Sequence, residues 1–255
     1  MTDLPKNHFK ARLRAGDQQI GLWHSITGSM VSEALAGAGF DWLVIDTEHS
    51  LTDVPDTLAM MQGMAGYPVS PVVRPAANDA VLIKRLLDLG AQTLVVPYVQ
   101  NAAEAQAAVT AMRYPPRGIR GVAGLTRAGR FGAVAGYTAR AEQELCLIVQ
   151  VETSEACAQI EAIAAVDGVD GLFIGPSDLA ASMGHPGAPS HPAVVAAIED
   201  AITRIVAAGK PAGILTLDAA FARRCMALGT TFTAVGMDIQ ILVQGARKLA
   251  SDFRG

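Results

Sequence analysis

The chain has 255 residues, 51% of them hydrophobic, 17% charged and 5% aromatic, and carries a formal net charge of −4. That length can bury a substantial core and suits one large domain or two small ones, and a mean hydropathy of +0.30 excludes a disordered, solvating chain. Twenty basic residues dispersed among twenty-four acidic ones form no long run, which argues against nucleic acid as a partner, and no apolar stretch approaches the roughly 18–20 residues that span a bilayer.

The first residues, Met1 to Lys6, lead into a polar, basic-amphipathic segment without the apolar core of a signal peptide. Short apolar runs then alternate with amphipathic ones to the end of the chain. Strands are predicted at 20–23, 42–45, 71–73, 93–96, 145–151, 171–174, 212–215 and 232–235. Helical patterns fall at 29–38, 54–64, 81–89, 102–112, 156–165, 194–208, 219–228 and 239–249. Continuous apolar runs suit parallel strands buried on both faces. Eight βα units in this length predict a TIM (β/α)8 barrel, read here as a single domain over 1–255. A doubly wound sheet competes, but neither GxGxxG nor GxxxxGK[ST] occurs. One irregular stretch, 114–144, is long enough to be a functional loop or a subunit contact.

In such a barrel the chemistry gathers at the carboxyl ends of the strands. There the sequence places Asp46-Thr47-Glu48-His49, Arg74, Gln150-Val151-Glu152 and Gly175-Pro176-Ser177-Asp178. Each has an ordinary alternative. Asp178 could cap a helix, Arg74 could be a surface ion-pair partner, and a single histidine is more often structural than catalytic. Glutamate is a poor N-cap, and Thr153 or Ser154 could cap the next helix, which frees Glu152 for another task. His24 is expected to line the site without doing chemistry, His8 to sit in the polar leader, and His185 and His191 to be solvated in a Pro/Gly-rich loop.

Ligand type decides the metal question. Glu152 and Asp178 are hard oxygen donors with no Cys/His cluster beside them, which suits Mg²⁺ or Mn²⁺ completed by water and a chelating substrate. The three cysteines (Cys146, Cys157, Cys225) are odd in number and lack a CxxC, so they predict neither a disulfide framework nor a thiolate site, and a cytoplasmic protein is expected. None of the five lysines falls at a strand end, which disfavours a Schiff-base mechanism. No GxSxG points to serine hydrolysis.

Taken together, the motifs resemble one family. They are Ala36-Gly37-Ala38-Gly39-Phe40-Asp41-Trp42 running into Ile45-Asp46-Thr47-Glu48-His49, then Pro71-Val72-Val73-Arg74-Pro75, then Tyr114-Pro115-Pro116-Arg117-Gly118-Ile119-Arg120-Gly121, then Gln150-Val151-Glu152-Thr153 and Ile174-Gly175-Pro176-Ser177-Asp178-Leu179. In this order they resemble the HpcH/HpaI family of metal-dependent class II pyruvate aldolases, and within it the hydroxyketoacid aldolases. Thr47 and Ser177 stand at positions that vary in the family.

The resemblance implies a barrel of the phosphoenolpyruvate/pyruvate type and a divalent cation (Mg²⁺, Mn²⁺ or Co²⁺) on Glu152 and Asp178. It implies that Arg74, Gln150 and the backbone around Ser177 and Asp178 hold a 2-oxo acid. His49 would be the base, made more basic by Asp88, with Asp46 in the same proton network. Trp23, Leu215 and the loop 185–192 would shape the end that receives the aldehyde. A homo-oligomer, typically a hexamer, is implied, with the last helix packed against a neighbouring barrel. The reaction expected is retro-aldol cleavage of 4-hydroxy-2-oxo acids to pyruvate and an aldehyde. The alternatives are a citryl- or malyl-CoA lyase-like enzyme and a non-catalytic 2-oxo-acid binding protein.

Overall fold

A computed structural model describes residues 3–254. Helix α1 (His8–Ala15) precedes the strands β1 (Gln19–His24), β2 (Trp42–Asp46), β3 (Ser70–Arg74), β4 (Thr93–Val96), β5 (Cys146–Val151), β6 (Gly171–Ile174), β7 (Ala212–Leu215) and β8 (Thr230–Met237). Every neighbouring pair is parallel, and β8 closes onto β1, so the predicted barrel is the fold. Around it run α2 (Ser29–Ala36), α3 (Val54–Met64), α4 (Ala80–Asp88), α5 (Ala102–Met112), α6 (Tyr137–Arg140), α7 (Ser154–Ala158), α8 (Ile160–Ala164), α9 (Pro176–Ser182), α10 (Pro192–Ala207), α11 (Ala219–Leu228) and α12 (Asp238–Asp252). Among the described residues, no helix is long and apolar enough to cross a membrane.

The helices begin where the sequence supplies caps. Asp53 and Asp56 form a capping box at α3, while Asp79, Asn101 and Asp218 accept first-turn amides of α4, α5 and α11. Thr153 does the same for α7, accepting from the Ala156 amide, which leaves Glu152 uncommitted as a cap.

Two apolar layers hold the barrel. One lies between strands and helices, with Leu43, Ile45, Leu94, Val149 and Leu172 on its strand side. The other fills the interior, with Trp23, Trp42, Val44, Val72, Ile148, Phe173 and Phe232. Close packing there demands glycine on two strands. A Cβ at Gly21 would enter the Trp42 ring, and one at Gly213 would enter Phe232.

Four elements depart from the expectation. The polar leader is helical in part. Asn7 caps α1, Gly16 ends it in the left-handed conformation, and Phe9 enters the barrel with its ring 5.7 Å from Trp42 and 5.8 Å from Phe232. The segment after β5 breaks at Gln159 into α7 and α8. An unpredicted short helix, α9, starts directly after β6 with Pro176 in its first turn. The stretch 114–144 is not wholly irregular: it carries α6 and two 3₁₀ turns, and it buries the Arg120 side chain.

Candidate active site

Strand β2 ends at Asp46 and the adjacent β3 ends at Arg74, with the two residues in register. Their side chains form a two-pronged pair: Arg74 Nε donates to Asp46 Oδ1 at 2.9 Å and an Arg74 terminal nitrogen donates to Oδ2 at 2.7 Å. Trp23 Nε1 donates to the same Oδ2 at 3.2 Å, and the Trp23 ring lies 4.9 Å beneath the guanidinium carbon. The other terminal nitrogen of Arg74 meets Glu48 Oε2 at 2.6 Å. Thr47 adds a hydroxyl bond to the Arg74 carbonyl at 2.7 Å. A planar guanidinium fits two carboxylates and an aromatic face together, which a lysine ammonium cannot do. Arg74 is therefore fixed at the rim rather than free on the surface.

Burial alone would raise the Asp46 carboxyl. The bonds and charge of Arg74 outweigh it and hold the group below its ordinary range. Glu48 goes the other way: burial, joined by the charges of Asp46 and Asp178, lifts it despite Arg74.

Glu152 follows the end of β5. Its Oε1 accepts the Tyr98 backbone N–H at 2.7 Å, and its Oε2 accepts from Gln150 Nε2 at 2.8 Å. Tyr98 adopts φ +55°, a left-handed conformation costly for a bulky residue, and its amide serves the carboxylate. On the other side is Gly175, where a Cβ would run into the Glu152 carboxylate. Burial pushes the Glu152 carboxyl up to about 7, with Asp178 and Glu48 adding repulsion against the opposing pull of the Tyr98 amide and Arg74. Asp178 occupies the first turn of α9 and is exposed, as is Ser177. The Oε1 of Gln150 is buried without a hydrogen-bond partner.

The structure thus brings Asp46, Arg74, Gln150, Glu152 and Asp178 to one rim, with Trp23 below. Other expected residues lie elsewhere or act differently. Trp23 is 2% exposed and is the floor under Arg74, not a wall of the aldehyde end. His49 is exposed, and its Nε2 lies 3.9 Å from Glu48 Oε2. Asp46 meets His49 through the backbone N–H at 3.4 Å, so no ring-to-Asp46 contact forms. Asp88 ends α4 and bonds Arg120 at 2.7 Å, so within the chain it is joined to Arg120 and not to His49. His24 is fully buried outside the barrel interior, between Asp238 at 2.6 Å and Ser32 at 2.7 Å, and does not line the site. Glu48 and Gly175 stand in the strand-end motifs of the sequence, but their roles beside Arg74 and Glu152 were not read from it. The Tyr98 amide was missed, since nothing local marks it.

The HpcH/HpaI aldolase/citrate lyase family profile matches residues 19–245, which is most of the chain. The chain belongs to that family. It is 63% identical to a pyruvate aldolase of Rhizobium etli over 98% of this chain and 99% of that one. It is 55% identical to a 4-hydroxy-2-oxo-heptane-1,7-dioate aldolase of Klebsiella pneumoniae, over 97% and 94% of the two chains. The solved structure of an HpcH/HpaI aldolase/citrate lyase family protein from Burkholderia cenocepacia superposes with a TM-score of 0.94 at 39% identity, covering 98% of this chain and 100% of the other. This HpcH/HpaI chain is an aldolase, a carbon–carbon lyase acting on small molecules.

Proposed function

We propose that the enzyme cleaves 4-hydroxy-2-oxo acids reversibly to pyruvate and an aldehyde, with Mg²⁺, Mn²⁺ or Co²⁺ held by Glu152 and Asp178. The observation that carries this is a rigidly held Arg74 beside the buried Glu152 carboxyl, which burial and the nearby Asp178 and Glu48 raise against the pull of Arg74 and the Tyr98 amide. Among the described residues no group of three or more His, Cys, Asp or Glu forms a protein-only metal cage. Two carboxylates with open positions are instead the donor set that Mg²⁺-like ions share with a chelating substrate. The Glu152 carboxyl, raised to about 7, and the orphaned Gln150 oxygen both fit a cation at this place.

When bound, the cation supplies Lewis-acid stabilisation of charge on the 2-oxo oxygen. The protein's own part is positional and electrostatic. Arg74, locked by Asp46, Glu48 and Trp23, presents a fixed positive charge to the pyruvate half. His49, exposed at the mouth beside Glu48, takes the C4 hydroxyl proton and returns it in the addition direction. Gln150 and the start of α9 at Ser177 and Asp178 complete the 2-oxo-acid side, and Leu215 faces the aldehyde half.

The enzyme works as a homo-oligomer in the cytoplasm. Its apolar α12 face and the exposed Val122, Leu125 and Phe131 of the 114–144 stretch support self-association, and its free cysteines suit a reducing compartment. The test is pyruvate release from a panel of 4-hydroxy-2-oxo acids and acyl-CoA esters, with and without chelator. Activity on the free acids is expected to vanish with chelation and return with added divalent metal, and borohydride with pyruvate should trap no lysine adduct. Full turnover in a verified metal-free preparation would overturn the metal assignment, and turnover of acyl-CoA esters alone would favour the CoA-lyase reading.

A further inference from the structure

At the amino-terminal ends of β5, β6 and β7, on the face of the barrel opposite the catalytic rim, the fold leaves a cavity of about 340 Å³. That volume is in the range of small-molecule sites, roughly 300–1,000 Å³. A second cavity of about 540 Å³ adjoins it and shares Arg14 and Lys210 with it. The first takes five cationic side chains into its lining, Lys10, Arg14, Arg113, Arg117 and Lys210, against the three carboxylates of Glu142, Asp167 and Asp170. In a chain of net charge −4 that excess of positive charge is local. Every one of these carboxylates is divided between two cations. Arg113 and Arg117 meet Glu142 at 2.7 and 2.9 Å, and Asp167 at 3.1 and 3.5 Å. Lys10 and Arg14 each stand 3.7 Å from the same oxygen of Asp170. Lys210 donates to the Val169 carbonyl at 2.6 Å and, among the described residues, pairs with no carboxylate.

The cluster is built into the fold. The Lys10 side chain is 7% exposed, a costly place for an ammonium whose carboxylate partner is shared. Arg113 fits because Gly168, at φ +104°, has no side chain, and a Cβ there would strike the guanidinium. Arg117 comes from the Tyr114-Pro115-Pro116-Arg117 motif, for which the catalytic rim has no use. From this we infer that the cavity is a binding site for a compact di- or tricarboxylate, separate from the catalytic rim. Ion pairs that serve only the fold need no cations left over, and here Lys210 is left over. Guanidinium forks suit carboxylates. The cations also stand in separate groups, Arg113 with Arg117, Lys10 with Arg14, and Lys210 by itself. An anion with two or three carboxylates reaches more than one of these groups, whereas a monocarboxylate reaches one.

The experiment titrates tricarballylate, and acetate as the monocarboxylate control, into the metal-loaded enzyme by calorimetry at constant ionic strength. Tricarballylate is expected to saturate one site per chain and to bind at least about tenfold more tightly than acetate, the order of one further charge-assisted hydrogen bond. Arg117→Gln and Lys210→Gln should each weaken it by about tenfold or more for the same reason, and Lys210→Arg should restore most of the loss. Arg74→Ala, which empties the anion-binding position at the catalytic rim, should leave tricarballylate affinity unchanged. Exchange of pyruvate methyl protons with D₂O should persist in Arg117→Gln and Lys210→Gln, since both lie at the far end of the barrel. Affinity that follows Arg74 instead of Arg117 and Lys210 would place the anion at the rim and overturn the site. Equal affinity for acetate, or no saturable binding, would overturn it as well. Loss of proton exchange in both variants would show that the two ends of the barrel are not separate and would overturn that part of the inference.

Discussion

Arg74 shows why residue type matters more than charge at this rim. Its side chain is 7% exposed and engages Asp46 through two nitrogens and Glu48 through a third, above the Trp23 ring. Lysine at 74 would keep the charge but could not keep the two directed bonds to Asp46, the ion pair with Glu48 and the stacking contact together. Arg74→Lys is expected to lower kcat/KM for pyruvate release by on the order of 10²-fold or more, as removal of one oriented transition-state donor does. Near-native kinetics in that variant would make Arg74 an ordinary ion-pair partner. Gly175 offers a separate test at the metal side. Its backbone has φ −99°, which alanine accepts, so the methyl group itself is the perturbation. Because that methyl would occupy the place of the Glu152 carboxylate, Gly175→Ala should weaken divalent metal binding by about 10–100-fold, the size of effect seen when a ligand's orientation is lost. Titration calorimetry measures it, and circular dichroism should show the barrel retained. Unchanged metal affinity would remove Glu152 from the ligand set.

At the scale of elements, legibility followed the strength of the local pattern. The strands were readable because most are buried on both faces and carry a continuous apolar run, as in Leu43-Val44-Ile45 and Leu147-Ile148-Val149. Strand ends then pointed to Asp46, Arg74 and Glu152 without further information. Helix α1 escaped because only Phe9 and Leu13 of its eight residues are apolar core, and two residues one turn apart make a weak periodic signal. Helix α9 escaped because Gly175-Pro176 reads as a turn, although proline is at home in a first helical turn. The surroundings of Trp23 and His24 were invisible for a different reason. Alternation along β1 sends Trp23 into the barrel and His24 out of it, and sequence alone does not say which parity faces inward. The unpredicted α1 has a measurable consequence. Phe9 is 1% exposed and packs edge-on against Trp42 and Phe232 at the bottom of the barrel. Phe9→Ala is expected to destabilise the fold by about 3–5 kcal/mol, the usual cost of emptying a buried aromatic site. Denaturant unfolding checks this. A loss below about 1 kcal/mol would mean that the plug collapses without cost and α1 is peripheral to stability.

The whole molecule presents a surface that a lone barrel does not explain. Helix α12 has fifteen residues, yet only Asp238, its first, is buried. Ile241, Leu242 and Leu249 are 53%, 58% and 61% exposed, and Phe253 just beyond the helix is 84% exposed. A helix of this length gains most of its stability in water from packing an apolar face, not from propensity. Its contacts with the barrel are at β1 and β8, next to its anchored start. There Asp238 accepts the Ser25 and Ile26 amides at 3.0 and 2.8 Å and pairs with His24, whose other ring nitrogen meets Ser32 on α2. That buried network fixes the direction in which α12 leaves the barrel, so the apolar side chains are presented in a defined geometry. Exposed apolar patches of this kind mark interaction surfaces, and a second copy of the chain is the partner proposed here. Each such side chain, once covered, contributes about 1.5–3 kcal/mol, and in a symmetric assembly the contribution recurs at every copy. Leu242→Asp is therefore expected to weaken assembly far more than folding. Sedimentation velocity should show the wild-type chain as a defined oligomer, and the variant shifted toward monomer at equal concentration with its circular dichroism retained. A monomeric wild-type chain, or a variant that sediments as the wild type does, would show that α12 is not the contact.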